Sequence, residues 1–277
     1  MIVAIALLVV ATAPPLEAQA ADTARVGGFL VHQFQANDTV ARWLVGYDAV
    51  AWVTSDLAMK LPADDQKRLG NEWFCFKQFD IWHAVYGRYD SLADRYDLVA
   101  HYQETGNGFV VSGSPVDTSR MLDFARALHT TQAHRPSAVR PPVRYNQYIR
   151  RLADDRIEVS LLPAWQPNGV IAYGADFRQT LDSTGRTLLD SAYTVDRLRG
   201  IRPDTTLAFE MWDEQHEVPT VDDLFFVYAY HKYFASITIF NRRFLSRFLI
   251  ESSPEQAFWL HVIRRSAPDS TRPARAP

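Results

Sequence analysis

The sequence predicts an α+β fold in which antiparallel or mixed sheets pack against a few helices. Three observations carry this. Glu72–Gln78, Ile81–Tyr89 and Tyr96–Tyr102 alternate bulky side chains with the two-residue period of strands, across short polar joints. Helix-start signals stand at Asp117 or Thr118, ahead of Met121, Phe124, Ala125 and Leu128, and at Thr220, ahead of a long apolar run. With 47% hydrophobic and 13% aromatic residues the chain can stabilise a core without covalent cross-links. Cys75 is the only cysteine, so no intrachain disulfide forms, and its place between Phe74 and Phe76 points to a buried structural thiol.

Taken in order, Met1–Ala20 contains the apolar run Ile2–Ala13 and ends Ala18-Gln19-Ala20, a small-x-small pattern before Ala21. This resembles a secretory signal peptide; the run is too short to span a bilayer. Export, periplasmic or secreted, is expected, with no transmembrane span after cleavage. The formal net charge of −3 gives no nucleic-acid signature. Asp38 is placed to cap a helix carrying Val40, Trp43, Leu44 and Tyr47; Ala51–Lys60 fits no single pattern. Pro62–Leu69 reads as a short polar helix, with Gly70 placed to end it in the left-handed conformation. The three strand runs follow as a meander, the middle one bulky on both faces and therefore central. Asn107-Gly108 marks a turn, and the helix from Asp117 or Thr118 comes next.

Pro136, Pro141 and Pro142 forbid regular pairing, which places a domain boundary between 21–135 and 136–263, with 264–277 as a disordered tail. Arg135, Arg140, Arg144, Arg150, Arg151 and Arg156 gather near it. They read as the solvated face of a short helix, Tyr145–Leu152, rather than an anion-binding stripe. Strand-like runs follow at Arg156–Leu162, Val170–Tyr173, Phe177–Leu181 and, after a turn at Asp182–Gly185, Thr187–Val195.

The stretch Thr206–Ile250 is the most organised. In 206–212, Leu207, Phe209 and Met211 share one strand face, and Ala208, Glu210 and Trp212 the other. After the polar loop Asp213–Glu217, Thr220 stands as N-cap with Asp223 at N3, a capping-box pattern. The apolar run Leu224–Phe234 predicts a helix covered on more than one side. Ser236–Phe240 and Phe244–Ile250 then form a hairpin across Asn241-Arg242-Arg243, and Ser253–Ile263 is predicted as a last helix.

Strand, loop, T-x-x-D at a helix start, then strand resembles the core of the JAB/MPN (JAMM-type) fold. Its peptidases carry H-x-H, seven residues, then S-x-x-D around zinc. Aligned on Thr220-x-x-Asp223, this chain has Glu210 and Trp212 where the histidines belong, so the resemblance implies a degenerate, JAB/MPN-like C-terminal half without the metal-binding pair. The same resemblance places Glu158, in RIEVSLL, where those peptidases keep a general base. The block order WFCF, WHAVYGRYD, RIEVSLLP, DFRQTLDSTGR and the T-x-x-D helix also resembles a group of uncharacterised exported bacterial proteins, over Trp73–Ile250.

Three functions follow as expectations. The first is an exported, non-catalytic interaction module, a pseudoenzyme without metal or cofactor, whose partner is a protein or a small ligand. The second is a metal-dependent hydrolase with a rearranged site drawn from Glu158, Glu210, Asp213, His216, Thr220 and Asp223. The third is a small-ligand binder through an aromatic groove around Trp82, His83 and Tyr86. H-E-x-x-H, G-x-S-x-G and a glycine-rich phosphate loop are absent from the sequence. His83 and His101, inside strands, are expected as neutral, hydrogen-bonded histidines.

Overall fold

The computed structural model describes residues 25, 26, 28–135, 143–193, 198–250 and 257–264. The expected signal peptide, its cleavage point, the proline-rich segment 136–142 with Arg140, and nearly all of the tail lie outside these residues. The chain forms two compact units, one of residues up to Arg42 with those from Asp204 onward, the other Trp43–Pro203. The boundary expected at 135/136 thus falls inside the second unit. The fold is α+β, and no helix among the described residues is long and apolar enough to cross a membrane.

In the Trp43–Pro203 unit the meander is β3 (Glu72–Gln78), β4 (Ile81–Asp90), β5 (Arg95–Thr105) and β6 (Gly108–Val111), antiparallel throughout. Phe79 and Asp80 both take positive φ, which makes the two-residue β3–β4 turn of the kind that suits strand twist. From Trp82 to Gly87 every residue of β4 is buried, as its bulk on both faces predicted. Alternation sends Trp82, Ala84 and Tyr86 to one face with Trp73 and Cys75, and His83 and Val85 to the other with Phe74 and Phe76. Cys75 is fully buried, and desolvation pushes its thiol up.

The first face is covered by the Trp43–Ala58 part of helix α1 (Val31–Ala58), which resolves the ambiguous Ala51–Lys60 segment as helix up to Ala58 and a turn at Met59 and Lys60. Tyr47 packs against Trp73, Trp82 and Tyr148 there. The second face is covered by helix α3 (Thr118–His134), where Asp117 accepts from the backbone N–H groups of Ser119 and Arg120. Met121, Phe124, Ala125 and Leu128 are buried in a core shared with Ile149, Ile157, Val159, Phe177 and Leu181. The short helix α2 (Ala63–Arg68) forms as expected, but it ends at Leu69 in extended conformation rather than at a left-handed Gly70.

A second antiparallel sheet has the order β11 (Leu188–Tyr193), β10 (Phe177–Leu181), β8 (Ile157–Pro163), β7 (Tyr145–Arg151). The helix expected at Tyr145–Leu152 is therefore a strand. Its apolar spacing also fits a helix face, but seven consecutive residues pair with β8 and bury Tyr148 and Ile149. Three of the arginines nearby are ion-paired: Arg150 with Glu158 at 2.8 Å, Arg151 with Asp123 at 3.0 Å and Asp155 at 2.9 Å, and Arg156 with Asp154 at 2.6 Å. The runs at 170–173 and 177–181 separate: β9 (Ile171–Tyr173) pairs with β12 (Arg199–Ile201), while β10 joins β8.

In the other unit β13 (Asp204–Asp213) runs parallel to β14 (Phe234–Asn241) through helix α4 (Val221–Tyr230), and β15 (Phe244–Ile250) and β16 (Ala257–Ile263) add antiparallel strands. This sheet is mixed. The last helix expected from Ser253 is replaced by β16, because seven successive residues Ala257–Ile263 pair with Phe244–Ile250; the helix-start signal at Ser253-Pro254 lies outside the described residues. Two short strands, β1 (Arg25–Val26) and β2 (Phe29–Leu30), pair ahead of α1. Asp38 lies inside α1 rather than capping it; it pairs with Arg42 at 2.9 Å and accepts from Tyr228, which also receives Trp259 Nε1 at 2.7 Å.

His261 on β16 is stacked on Phe29 with centroids 4.1 Å apart and sits 2.8 Å from Ser246 Oγ. Burial pushes its pKa from 6.5 to about 4, against a smaller opposing pull from Asp38. The folded state thus resists a proton that the unfolded chain accepts, so stability falls as pH drops from 6.5 toward 4 and levels off below, by on the order of 3 kcal/mol for this group. Urea titrations across that window are expected to show a falling midpoint, and His261→Gln to flatten the fall; an unaltered slope in the variant contradicts this assignment.

Candidate functional site

The residues expected around a metal do not gather. In β13, Glu210 is exposed and Trp212 lies flat on Phe240, centroids 4.2 Å apart, with the Arg264 guanidinium over both rings. Asp223 is fully buried and serves the helix end: its Oδ2 accepts from Thr220 N at 3.1 Å, and Thr220 Oγ1 accepts from Asp223 N at 3.2 Å. The capping box read from T-x-x-D is thus formed. His216 Nδ1 is 2.8–2.9 Å from both carboxylate oxygens of Asp213, which is buried at the strand end. Glu158 is on β8 in the Trp43–Pro203 unit, accepting from Arg150 Nε at 2.8 Å. Among the described residues no three His, Cys, Asp or Glu side chains are close enough together to hold a metal ion.

The aromatic trio is divided by the period of β4. Trp82 is packed under Trp43 and Tyr47, and a methyl on Gly46 of α1 would come within 2.8 Å of its ring. His83 points to the α3 face, where its Nδ1 is 2.9 Å from His101 Nε2 and its ring stacks on Phe76. Both histidines line a groove of about 660 Å³ with Gln103, Ser114 and Arg120. Burial pushes both pKa values down, for His83 with the added repulsion of His101, so the pair is neutral near pH 7. This is the hydrogen-bonded state expected of them.

Tyr86 faces the other way and lines a groove of about 420 Å³ on the α1 face. Asp48, Trp52, Ser55 and Met59 supply one wall at helical spacing, and Trp73 and Asn146 stand opposite on strands. Trp52 is 75% exposed and Met59 67% exposed, large apolar side chains left open at the rim. Tyr86 is fixed: its hydroxyl lies 2.8 Å from Thr54 Oγ1, and Thr54 in turn donates to the Val50 carbonyl. Its ring is nearly parallel to that of Trp73, interplanar angle 21°. Asp48 Oδ1 accepts from Asn146 Nδ2 at 2.9 Å and from Tyr148 OH at 2.8 Å. Sequence reasoning found Tyr86 and missed Asp48, Trp52 and Trp73. The available signal was in the segment that fitted no pattern: Trp52 and Met59 fall off the buried stripe of α1, on a line with Asp48.

The capping box yields a direct test. Thr220→Ala removes the acceptor for Asp223 N and is expected to cost about 1 kcal/mol, read as a lower urea midpoint; an unchanged midpoint would show that the hydroxyl does not stabilise the helix. Set against family models, curated proteins and solved structures, the chain matches none.

Proposed function

We propose that this is an exported, non-catalytic binding protein whose Trp43–Pro203 unit takes a small ligand into the groove on the α1 face of β4. One observation carries the reading. Three aromatic side chains, Trp52, Trp73 and Tyr86, border a cavity of about 420 Å³ whose polar lining is confined to a few groups, among them Asp48, Asn146 and Gln66. Small-molecule sites are concave, mostly apolar and oriented by a few placed polar groups, with volumes of roughly 300–1,000 Å³. Tyr86, held through Thr54, and Asp48, held by Asn146 and Tyr148, lose little freedom when a ligand arrives.

This takes up the small-ligand expectation, with a groove that keeps Tyr86 but not Trp82 or His83, ahead of the interaction module built on the C-terminal half. The JAB/MPN-like reading rests on the parallel β13–α4–β14 order and the T-x-x-D cap, both of which serve as framework. The hydrolase alternative has less support, because Glu158, Asp223 and His216 each hold a separate partner.

A thermal-shift screen of small neutral, anionic and cationic compounds against the full chain tests the proposal. Binders are expected whose affinity falls about tenfold or more in Trp73→Ala and in Trp52→Ala, with far-UV circular dichroism unchanged. Trp52→Ala is the safer variant, since the side chain is mostly exposed. Binders indifferent to both changes would place the site elsewhere and overturn the reading.

A further inference from the structure

The lining of the same groove points to the charge of its ligand. Asp48 is the only formally charged side chain among the described residues that line it. The two side-chain donors to its carboxylate among the described residues, Asn146 Nδ2 and Tyr148 OH, are neutral, and both go to Oδ1. Among the described residues the carboxylate therefore has hydrogen bonds but no ion pair, and its second oxygen takes no side-chain donor. Desolvation raises its pKa, partly opposed by the bonds from Tyr148 and Asn146. A partly buried acid without a counter-ion is destabilised as an anion, and a cation entering the groove relieves that cost.

The walls suit the same visitor. Indole and phenol faces attract ammonium groups through the ring quadrupole, Trp most strongly. Trp52, Trp73 and Tyr86 offer such rings, and the Met59 thioether adds a soft, polarisable surface at the rim. An anionic ligand would meet Asp48 unfavourably. A neutral ligand would fill the cavity but leave the carboxylate without its missing charge partner.

We propose that the groove selects an organic cation, an amine or quaternary ammonium, whose charge is met by Asp48 and whose alkyl shell lies against Trp52, Trp73 and Tyr86. This rests on the groove being the ligand site.

The test is isothermal titration of the full chain, near neutral pH, with choline and with its uncharged isostere 3,3-dimethylbutan-1-ol. Tetramethylammonium and benzylamine serve as further cations. At least one cation is expected to bind about tenfold or more tighter than the isostere, and Asp48→Asn to remove that preference. Asn preserves the acceptor for Tyr148 and Asn146; should that variant fail to fold, Trp52→Ala is expected to weaken the cation more than the isostere.

If the isostere binds as well as the cations, and both weaken in Trp73→Ala, the groove is the site but the cation assignment falls. Binding of both that ignores Trp73 and Asp48 overturns the groove as well. Failure of all three cations to bind at about 10 mM, a level far above any specific affinity, also overturns the cation assignment. Any neutral or anionic binder from the screen that depends on Trp73 would then preserve the groove alone.

Discussion

Strand β4 is covered on both faces from Trp82 to Gly87, and the Trp43–Pro203 unit is arranged around that constraint. Because successive side chains must point to opposite sides, the bulky sequence WHAVYG needs two separate coverings. Helix α1 supplies one and helix α3 the other. The fit on the α1 side is close enough to require glycine at position 46, where any Cβ would strike the Trp82 ring. A glycine inside a helix costs about 1 kcal/mol relative to alanine; burying the indole offsets that cost. Two grooves follow from the same alternation, an aromatic one with an acid on the α1 face and one of mixed lining with paired histidines on the α3 face.

The α3 covering is held by an ion-pair hub. Asp94, in the turn between β4 and β5, takes a left-handed φ of 50° and accepts from Tyr89, from Arg126 of α3 and from Arg186 in the β10–β11 turn. The Arg126 hydrogen bonds, chiefly, hold its carboxyl well below the usual carboxylate range. That turn also presses onto α3 through Gly185, whose carbonyl accepts from Thr130 Oγ1 at 2.9 Å. With α3 held in this way, the meander is a firm support for Tyr86 and Trp73 on its far face. A binding wall that is already ordered gives up less entropy to a ligand.

Much of the fold was legible in the sequence, since local signals and tertiary packing agreed. The meander strands, the Asp117 and Thr220 caps and the β14–β15 hairpin follow from two-residue alternation and capping chemistry. Tyr145–Leu152 misled because Tyr145, Tyr148, Ile149 and Leu152 satisfy helical spacing, while pairing with Ile157–Pro163 decided the outcome. Ala257–Ile263 misled in the same way. The site was less legible, for a different reason. Alternation alone separates His83 from Trp82 and Tyr86, but a groove is made by residues far apart in the chain. Asp48, Trp73 and Asn146 meet only after α1 and two sheets have packed, and no local pattern records that meeting.

The seven tryptophans allow the location of the site to be read directly. In a heteronuclear NMR titration of the full chain with a binding ligand, each indole N–H reports its own surroundings. The resonances of Trp52 and Trp73 are expected to move together and saturate, while those of Trp82, packed beneath α1, and Trp212, stacked on Phe240, stay in place. Saturable movement of Trp212 with Trp52 and Trp73 unmoved would contradict this location of the site.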